Sequence, residues 1–230
     1  MDGNGRWAAR RRRPRQVGHR MGARAVRRVV EAAPALGIDI LSLYAFSADN
    51  WRRPPDEVAA LMDLFRNYVE READRCRRNG VALRVIGRRD RLPPDLVRAI
   101  TAAEVATAAG DRLTLRIAVD YSGRDAICRA AARLADGTPP SHDAFGALVA
   151  RVDHSPPVPP VDLLIRTGGE RRLSDFLLWE CAYAELYFVD TAWPDFTGAD
   201  LQRAVADFAG RERRFGGIAA PASCRPLSIA

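Results

Sequence analysis

The sequence predicts an α/β fold, a mostly parallel central sheet flanked by helices. Three observations carry this. Apolar runs of strand length are near-continuous rather than alternating, the pattern of strands buried on both faces. Longer segments with helical periodicity separate those runs. Strand and helix alternate along almost the whole chain, the order that builds parallel sheets through helical crossovers.

The first helix is expected over Gln16 to Leu36, where Val17, Met21, Ala25, Val29 and Ala32 recur at helical spacing and Gly37 is a stop. Ile38 to Phe46 has a strand's length and apolarity, and Ser47 to Pro55 is a polar, proline-ended loop. Glu57 to Asn79 reads as a long amphipathic helix ended by Gly80, followed by a strand over Val81 to Gly87. Pro93 to Ala109 is a helix with prolines in its first turn. Leu113 to Tyr121 is a strand and Gly123 to Ala135 a helix. The stretch from Gly137 to Pro160 is rich in Pro, Ser and His, with room for a short helix from Asp143 to Val152. A strand from Val161 to Ile165, a helix from Ser174 to Tyr183, a strand from Glu185 to Phe188 and a helix from Gly198 to Arg214 complete the order. Residues 1–217 are expected to form one domain. The small, polar residues 218–230 are expected to be a disordered tail.

Composition narrows the function. With 47% hydrophobic and 28% charged residues, the chain has the balance of a soluble globular protein. No apolar run reaches membrane-spanning length and no signal peptide precedes the first motif, so a cytoplasmic location is expected. The cysteines Cys76, Cys128, Cys181 and Cys224 show no metal-ligand spacing. All 36 basic residues are arginine, which excludes a P-loop lysine, a Schiff-base lysine and a serine–lysine dyad. The net charge of +7 is concentrated in the first 30 residues, which hold ten arginines and a single acid, Asp2. The run Arg10 to Arg13, taken alone, reads as a solvated surface; a basic arm for nucleic acid or anionic lipid is the sharper alternative.

Two clusters carry chemistry. The first is Asp2-Gly3-Asn4-Gly5-Arg6-Trp7. Glycines let backbone N–H groups approach a ligand, a carboxylate can hold a divalent cation, and a guanidinium pairs with phosphate. Gly3 to Ala8 also fits a loose dinucleotide fingerprint, but that pattern needs a preceding strand and an acid about twenty residues on, and neither is present. The second is Arg166-Thr-Gly-Gly-Glu170-Arg171-Arg172-Leu173-Ser174, which follows an expected strand. Ser174 stands where a helix would be capped, so its N-terminus and two guanidiniums are expected to cradle a diphosphate. Two anion sites point to a reaction joining two phosphorylated substrates.

Supporting residues lie between them. Phe46-Ser47-Ala48-Asp49-Asn50-Trp51-Arg52-Arg53 puts hydroxyl, amide, indole and guanidinium on one loop after a strand. His19 shares a helix face with Arg15, and beside an anion site it is a candidate phosphate donor. Glu185, an acid in an apolar stretch, needs a partner, a cation or a proton.

Taken together, MDGNGRWA, YAFSADNWRRP, DLLIRTGGERRLSDFLLWECAYAELYF, WPDF and RERRFGG resemble the cis-prenyltransferases, most closely the bacterial undecaprenyl diphosphate synthases (isoprenyl transferases), over nearly the whole chain and in the right order. The resemblance implies an α/β fold with a hydrophobic tunnel. It implies a Mg2+-dependent transferase that condenses an allylic diphosphate, commonly farnesyl diphosphate, with successive isopentenyl diphosphates to a cis-polyprenyl diphosphate. Undecaprenyl diphosphate for a cell-envelope lipid carrier is the expected product. By the same resemblance Asp2 is the catalytic, metal-managing aspartate and Asn50 assists proton removal. Gly3, Asn4, Gly5 and Arg6, with Arg15, His19 and Arg53, form the allylic diphosphate set, together with the Ser47-Ala48-Asp49 stretch. Trp7, Phe46 and Trp51 are aromatic residues lining the site. Arg166, Arg172, Leu173 and Ser174 belong to the isopentenyl diphosphate site, and Glu185 is a metal-site acid. A homodimer is implied, with Arg214-Phe215-Gly216 reaching the neighbouring subunit's site, as is peripheral contact with the inner face of the plasma membrane through the product. Nucleic acid is not an expected partner. The helices near 16–36 and 57–79 are expected to wall the tunnel over the sheet.

Three departures stand out. The family has an apolar strand just before the catalytic aspartate, which this sequence does not contain, so unpaired neighbouring strand edges are expected. Asp49 replaces a more usual glutamate. Asp120-Tyr121-Ser122-Gly123-Arg124 replaces a more usual Asn-Tyr-Gly-Gly-Arg. The rival readings are a short-chain or specialised synthase, an inactive N-terminally truncated member, a non-catalytic partner subunit of the same fold, and a nucleic-acid module built on the arginine arm.

Overall fold

The computed structural model describes residues 1–134 and 140–212. The expected disordered tail, the Arg214–Gly216 segment and the distal ends of the helices expected to reach Ala135 and Arg214 lie outside the described residues.

Seven α-helices and five strands lie among the described residues, in the expected order but for an added first helix and no helix between the last two strands: α1 (Asn4–Arg10), α2 (Arg15–Ala32), β1 (Ile40–Ser47), α3 (Pro55–Arg78), β2 (Val81–Ile86), α4 (Pro94–Ala106), β3 (Leu113–Tyr121), α5 (Gly123–Ala131), α6 (His142–Val152), β4 (Leu163–Arg166), β5 (Glu185–Phe188) and α7 (Gly198–Ala209). Every strand pair is parallel. β3 is central, with Leu113, Leu115, Ile117, Ala118 and Val119 all buried, which is why it reads as an unbroken apolar run. Helices α2, α3 and α4 bury Val29, Met62, Val69, Leu96 and Ile100 in the same core.

Three expectations are corrected. The strands do not form one sheet: the order is β1-β3-β2 in one and β4-β5 in a second, separate sheet. Among the described residues β1 pairs with β3 alone, so its other edge is unpaired, as expected from the sequence for the strands in this region. The residues after the opening glycine turn are not a free arm but a helix, α1, docked on α2. The reason is close backbone approach: a Cβ at Gly18 would stand 2.1 Å from the Asn4 carbonyl oxygen, and one at Gly22 2.4 Å from Asn4 Oδ1. Finally, Ser174 to Tyr183 is not a helix. It is a chain of turns in which Ser174, Asp175 and Leu177 have positive φ. Tertiary contacts override its helical pattern: Asp175 accepts from the backbone N–H of Arg124 (2.8 Å), Phe176 stacks on Tyr44 (4.5 Å between centroids), and Leu177 is fully buried.

Candidate active site

Asp2 is held by backbone geometry before its side chain does anything. Its N–H donates to Thr167 Oγ1 (2.9 Å), and its carbonyl accepts from the Trp193 N–H (2.8 Å) and from the Thr167 hydroxyl (3.1 Å). Gly3 (φ 92°) and Gly168 (φ 84°) let the two turns interlock: a Cβ on Gly168 would lie 3.1 Å from the Asp2 carbonyl carbon. The two clusters, 164 residues apart in sequence, therefore meet.

Their side chains meet too. Arg166 donates to Asp2 Oδ2 at 2.9 Å, to Ser174 Oγ at 2.7 Å, and to the Arg172 carbonyl. The Gly3 N–H donates to Asp2 Oδ1 at 2.6 Å. Arg6 lies 3.7 Å from Asp2 and 3.2 Å from Glu170, which also pairs with Arg172. Burial alone would raise the Asp2 carboxyl, but the Arg166 and Gly3 hydrogen bonds outweigh it and hold it below the ordinary carboxylate range. Asp2 is thus an anion surrounded by donors.

A third cluster borders the same mouth. Glu57, at the start of α3, pairs with Arg53 (3.0 Å) and lies 3.8 Å from Arg15 and 3.9 Å from His19 Nε2. Burial, then the positive charge of Arg53, lowers the His19 imidazole below its usual value, so it is neutral at pH 7. Its buried Nε2 has no hydrogen-bond partner among the described residues, a donor or acceptor free for a ligand. Sequence reasoning missed Glu57 as the hub of this cluster; its place in the first turn of a helix beginning two residues after Arg53 was the available signal.

The loop after β1 is a short 3-10 turn, Ala48–Arg52, closed by a capping box. Ser47 Oγ accepts from the Asp49 N–H, and Asn50 Oδ1 accepts from the Ser47 N–H (both 3.1 Å). This holds the Asn50 carbonyl and leaves its amide N–H groups free.

These residues open into one cavity of about 1330 Å³. Asp2, Gly3, Asn4, Gly5 and Arg6 line it, as do Arg15 and His19. Ser47, Asp49, Asn50 and Arg53 line it from the β1 side, and Arg166, Arg172, Leu173 and Ser174 from the β4 side. Its apolar wall is formed by Ile40, Leu41 and Leu43 of β1, by Leu163 to Ile165, and by Trp193, Phe196 and Val205. The wall differs from that expected: α2 contributes Arg15, His19 and Val29 and α3 only Leu61, because the open space lies between the two sheets.

Five expected site residues do not line the cavity: Trp7, Phe46, Ala48, Trp51 and Glu185. Trp7 is buried, its indole N–H donating to Asp195 at 2.7 Å while Arg11 covers its ring. Phe46 is in the core, edge-on to Trp51 at 5.4 Å. Both aromatics face inward because apolar area is worth more in the core than at a polar mouth. Glu185 pairs with Arg211 at 2.9 Å. Ser174 caps no helix, so this cluster offers the Arg166 and Arg172 guanidiniums and the Ser174 hydroxyl rather than a helix N-terminus. Among the described residues no group of three or more His, Cys, Asp or Glu side chains could hold a metal by itself.

The chain matches, over residues 1–216, a prenyltransferase family model described as "Putative undecaprenyl diphosphate synthase". It is 58% identical over 220 residues to isoprenyl transferase 1 of Bradyrhizobium diazoefficiens, covering 96% of this chain and 88% of that one. It is 47% identical over 220 residues to a ditrans,polycis-undecaprenyl-diphosphate synthase ((2E,6E)-farnesyl-diphosphate specific) of Pseudomonas putida, covering 94% and 88%. Among solved structures, it superposes on lavandulyl diphosphate synthase from Lavandula x intermedia, in complex with dimethylallyl diphosphate, with a TM-score of 0.86 at 31% identity, covering 94% of this chain and 95% of that one. The chain belongs to the cis-prenyltransferase family of the undecaprenyl diphosphate synthases.

Proposed function

We propose that this chain is the enzyme that joins an allylic diphosphate, farnesyl diphosphate, to successive isopentenyl diphosphates, giving a cis-polyprenyl diphosphate of undecaprenyl length. The observation that carries it is the direct Arg166–Asp2 contact, which sets two anion-binding clusters side by side at the mouth of an apolar cavity. Identities of 47–58% to relatives that include undecaprenyl diphosphate synthases, against 31% to the lavandulyl enzyme, favour the long-chain product.

In this reading the allylic diphosphate lies against the Gly3–Arg6 turn, Arg15, His19 and Arg53. The isopentenyl diphosphate lies against Arg166, Arg172 and Ser174. Arg166 reaches both Asp2 and Ser174, so it fixes the distance between the two headgroups, and proximity of this kind lowers the barrier by several kcal/mol. The allylic C–O bond breaks and diphosphate leaves. The isopentenyl double bond supplies the electron pair of the new C–C bond, and a proton departs as the new cis double bond forms. Arginines and backbone N–H groups stabilise the charge that grows on the leaving group. Asn50 has no basic nitrogen, so its free amide orients the isopentenyl diphosphate while a phosphate oxygen takes the proton. The growing apolar chain enters the space between the sheets.

Members of this family generally use a divalent metal, and Mg2+ is the ion proposed. The donor set fits: one ionised carboxylate, Asp2, beside two diphosphate sites, matches an ion that takes one or two carboxylates and completes its shell with substrate phosphates and water. Bound there, it would neutralise the leaving diphosphate. Glu185 is outside this set.

A homodimer belongs to the same reading, supported by the half-exposed Leu186 on β5, a strand that among the described residues pairs only with β4. Cytoplasmic location and peripheral membrane contact through the product are part of it as well. No described helix is long and apolar enough to cross a membrane. The test is incubation of the purified chain with farnesyl diphosphate and radiolabelled isopentenyl diphosphate, with Mg2+ or with EDTA, and chromatography of the products by chain length. A Mg2+-dependent C55 product is expected. Products no longer than C20 would remove the long-chain assignment, and no incorporation at all would remove the activity.

A further inference from the structure

Asp120, a departure from the pattern noted in the sequence, lies outside the cavity lining. It is the extra residue of a β-bulge: Phe46 faces Val119 and Ser47 faces Tyr121, with Asp120 unpaired between them. Its φ is 52°, a left-handed backbone that aspartate adopts only at a cost of about 1 kcal/mol. Neighbours enforce that turn. The Arg88 N–H donates to the Asp120 carbonyl (3.2 Å), and Gly87 packs so closely that a Cβ there would stand 2.1 Å from the Val119 carbonyl oxygen.

The bulge re-aims the carboxylate sideways, where it is fully buried and completely engaged. Oδ1 accepts from the Trp51 indole N–H at 2.8 Å, and Arg91 forks onto both oxygens, its Nε donating to Oδ2 at 2.9 Å. The Arg91 guanidinium also lies 5.6 Å from the Trp51 ring centroid. Trp51 is next to Asn50, in the 3-10 turn whose Asp49 and Asn50 line the cavity. Trp51 itself does not reach the cavity, so the indole's function is to anchor the turn.

We infer that Asp120 is a positioning residue: with Arg91, it clamps the Trp51 indole and thereby fixes Asn50 and Arg53 over the reacting diphosphates. The inference rests on the proposed placement of the 47–53 turn in the site, and it deepens that placement. The bidentate Arg91 pair offsets the burial of the charge, and the shared Oδ1 couples the two partners. An asparagine there keeps an acceptor for Trp51 and releases Arg91, which is partly exposed, to water.

The test has a structural and a kinetic arm. The protein has four tryptophans, so the indole N–H region of a 15N correlation spectrum holds four peaks, and Trp51→Phe identifies one. In Asp120→Ala the Trp51 peak should move upfield and its hydrogen exchange at least tenfold faster, while in Asp120→Asn it stays. In kinetics Asp120→Ala should lose at least tenfold in kcat with the isopentenyl diphosphate KM changed less than threefold, because Arg166, Arg172 and Ser174 stand on the other side. Asp120→Asn should restore kcat to within about threefold of wild type. If Asp120→Ala does not fold, Trp51→Phe, which removes the same hydrogen bond from its donor side while keeping a ring in place, should show the same fall in kcat with the same small change in KM. An unmoved Trp51 peak in the destabilised clamp overturns the contact. A moved peak with kcat within threefold overturns the positioning role while leaving the proposed reaction standing, and absence of turnover in the wild type defeats that reaction while the spectrum still reports on the clamp.

Discussion

Gly18→Ala probes how closely α1 must sit for the reaction to run. The added Cβ would meet the Asn4 carbonyl oxygen at 2.1 Å, the Asn4 carbonyl carbon at 2.8 Å and Ala8 Cβ at 3.3 Å. Carbon and oxygen in contact need roughly 3.2 Å, so α1 must withdraw from α2 by about 1 Å. Asn4 begins α1 directly after Asp2 and Gly3, and its carbonyl is backbone, so the shift carries the glycine turn with it. Overpacking costs about 1–3 kcal/mol, and alanine in a helix interior returns about 1 kcal/mol relative to glycine, leaving a net loss of about 0–2 kcal/mol. Activity should suffer more, because a displacement of about 1 Å in a catalytic constellation costs on the order of 100-fold. The assay is kcat at saturating levels of both diphosphates beside Tm on the same preparation. Gly210→Ala is the control, since nothing lies closer than 3.6 Å to its Cβ and its φ is −80°. A Gly18→Ala enzyme with kcat within threefold of wild type would refute the argument that the close approach of α1 sets the site.

Further outcomes are expected at the site and in the core. Asp2→Ala should abolish turnover with little loss of Tm, and near-normal turnover would remove Asp2 from the mechanism. Arg166→Ala should raise the isopentenyl diphosphate KM more than the allylic KM, and equal effects on both, read by initial rates, would break the site assignment. Asp153 is buried, and desolvation pushes its carboxyl up to about 6 in spite of the hydrogen bond from Arg129. The folded state therefore holds a proton between the unfolded value of 3.8 and about 6, and stability from this group is full below that window and lost as pH rises through it, by about 3 kcal/mol. Asp153→Asn should remove that slope, so the stability gap between variant and wild type in urea titrations should widen in the variant's favour from pH 4 to pH 6.5; a gap independent of pH would contradict it.

Local signals carried much of the site and the elements. Asp2 to Arg6, Ser47 to Arg53 and Arg166 to Ser174 are contiguous runs whose chemistry shows in composition, and each lies at an element boundary the sequence marks. What escaped were contacts between elements. Gly18 and Gly22 look like weak helix residues until Asn4 is seen packed on them, although their four-residue spacing on one helix face was a usable hint. Trp7 and Trp51 look like site aromatics, yet each donates its indole N–H to a distant carboxylate, Asp195 and Asp120. The helical period of 174–183 was real but lost to the burial of Leu177 and the contacts of Asp175.

The sequence alone determined the α/β class, most of the order of helices and strands, and the family, because periodicity and contiguous motifs are properties of neighbouring residues. Only the tertiary structure decided that Arg166 donates to Asp2, that the strands divide into two sheets around the cavity, and that Asp120 turns toward Trp51. Those facts depend on packing between segments far apart in the chain, where a backbone clash or a buried partner outweighs local preference.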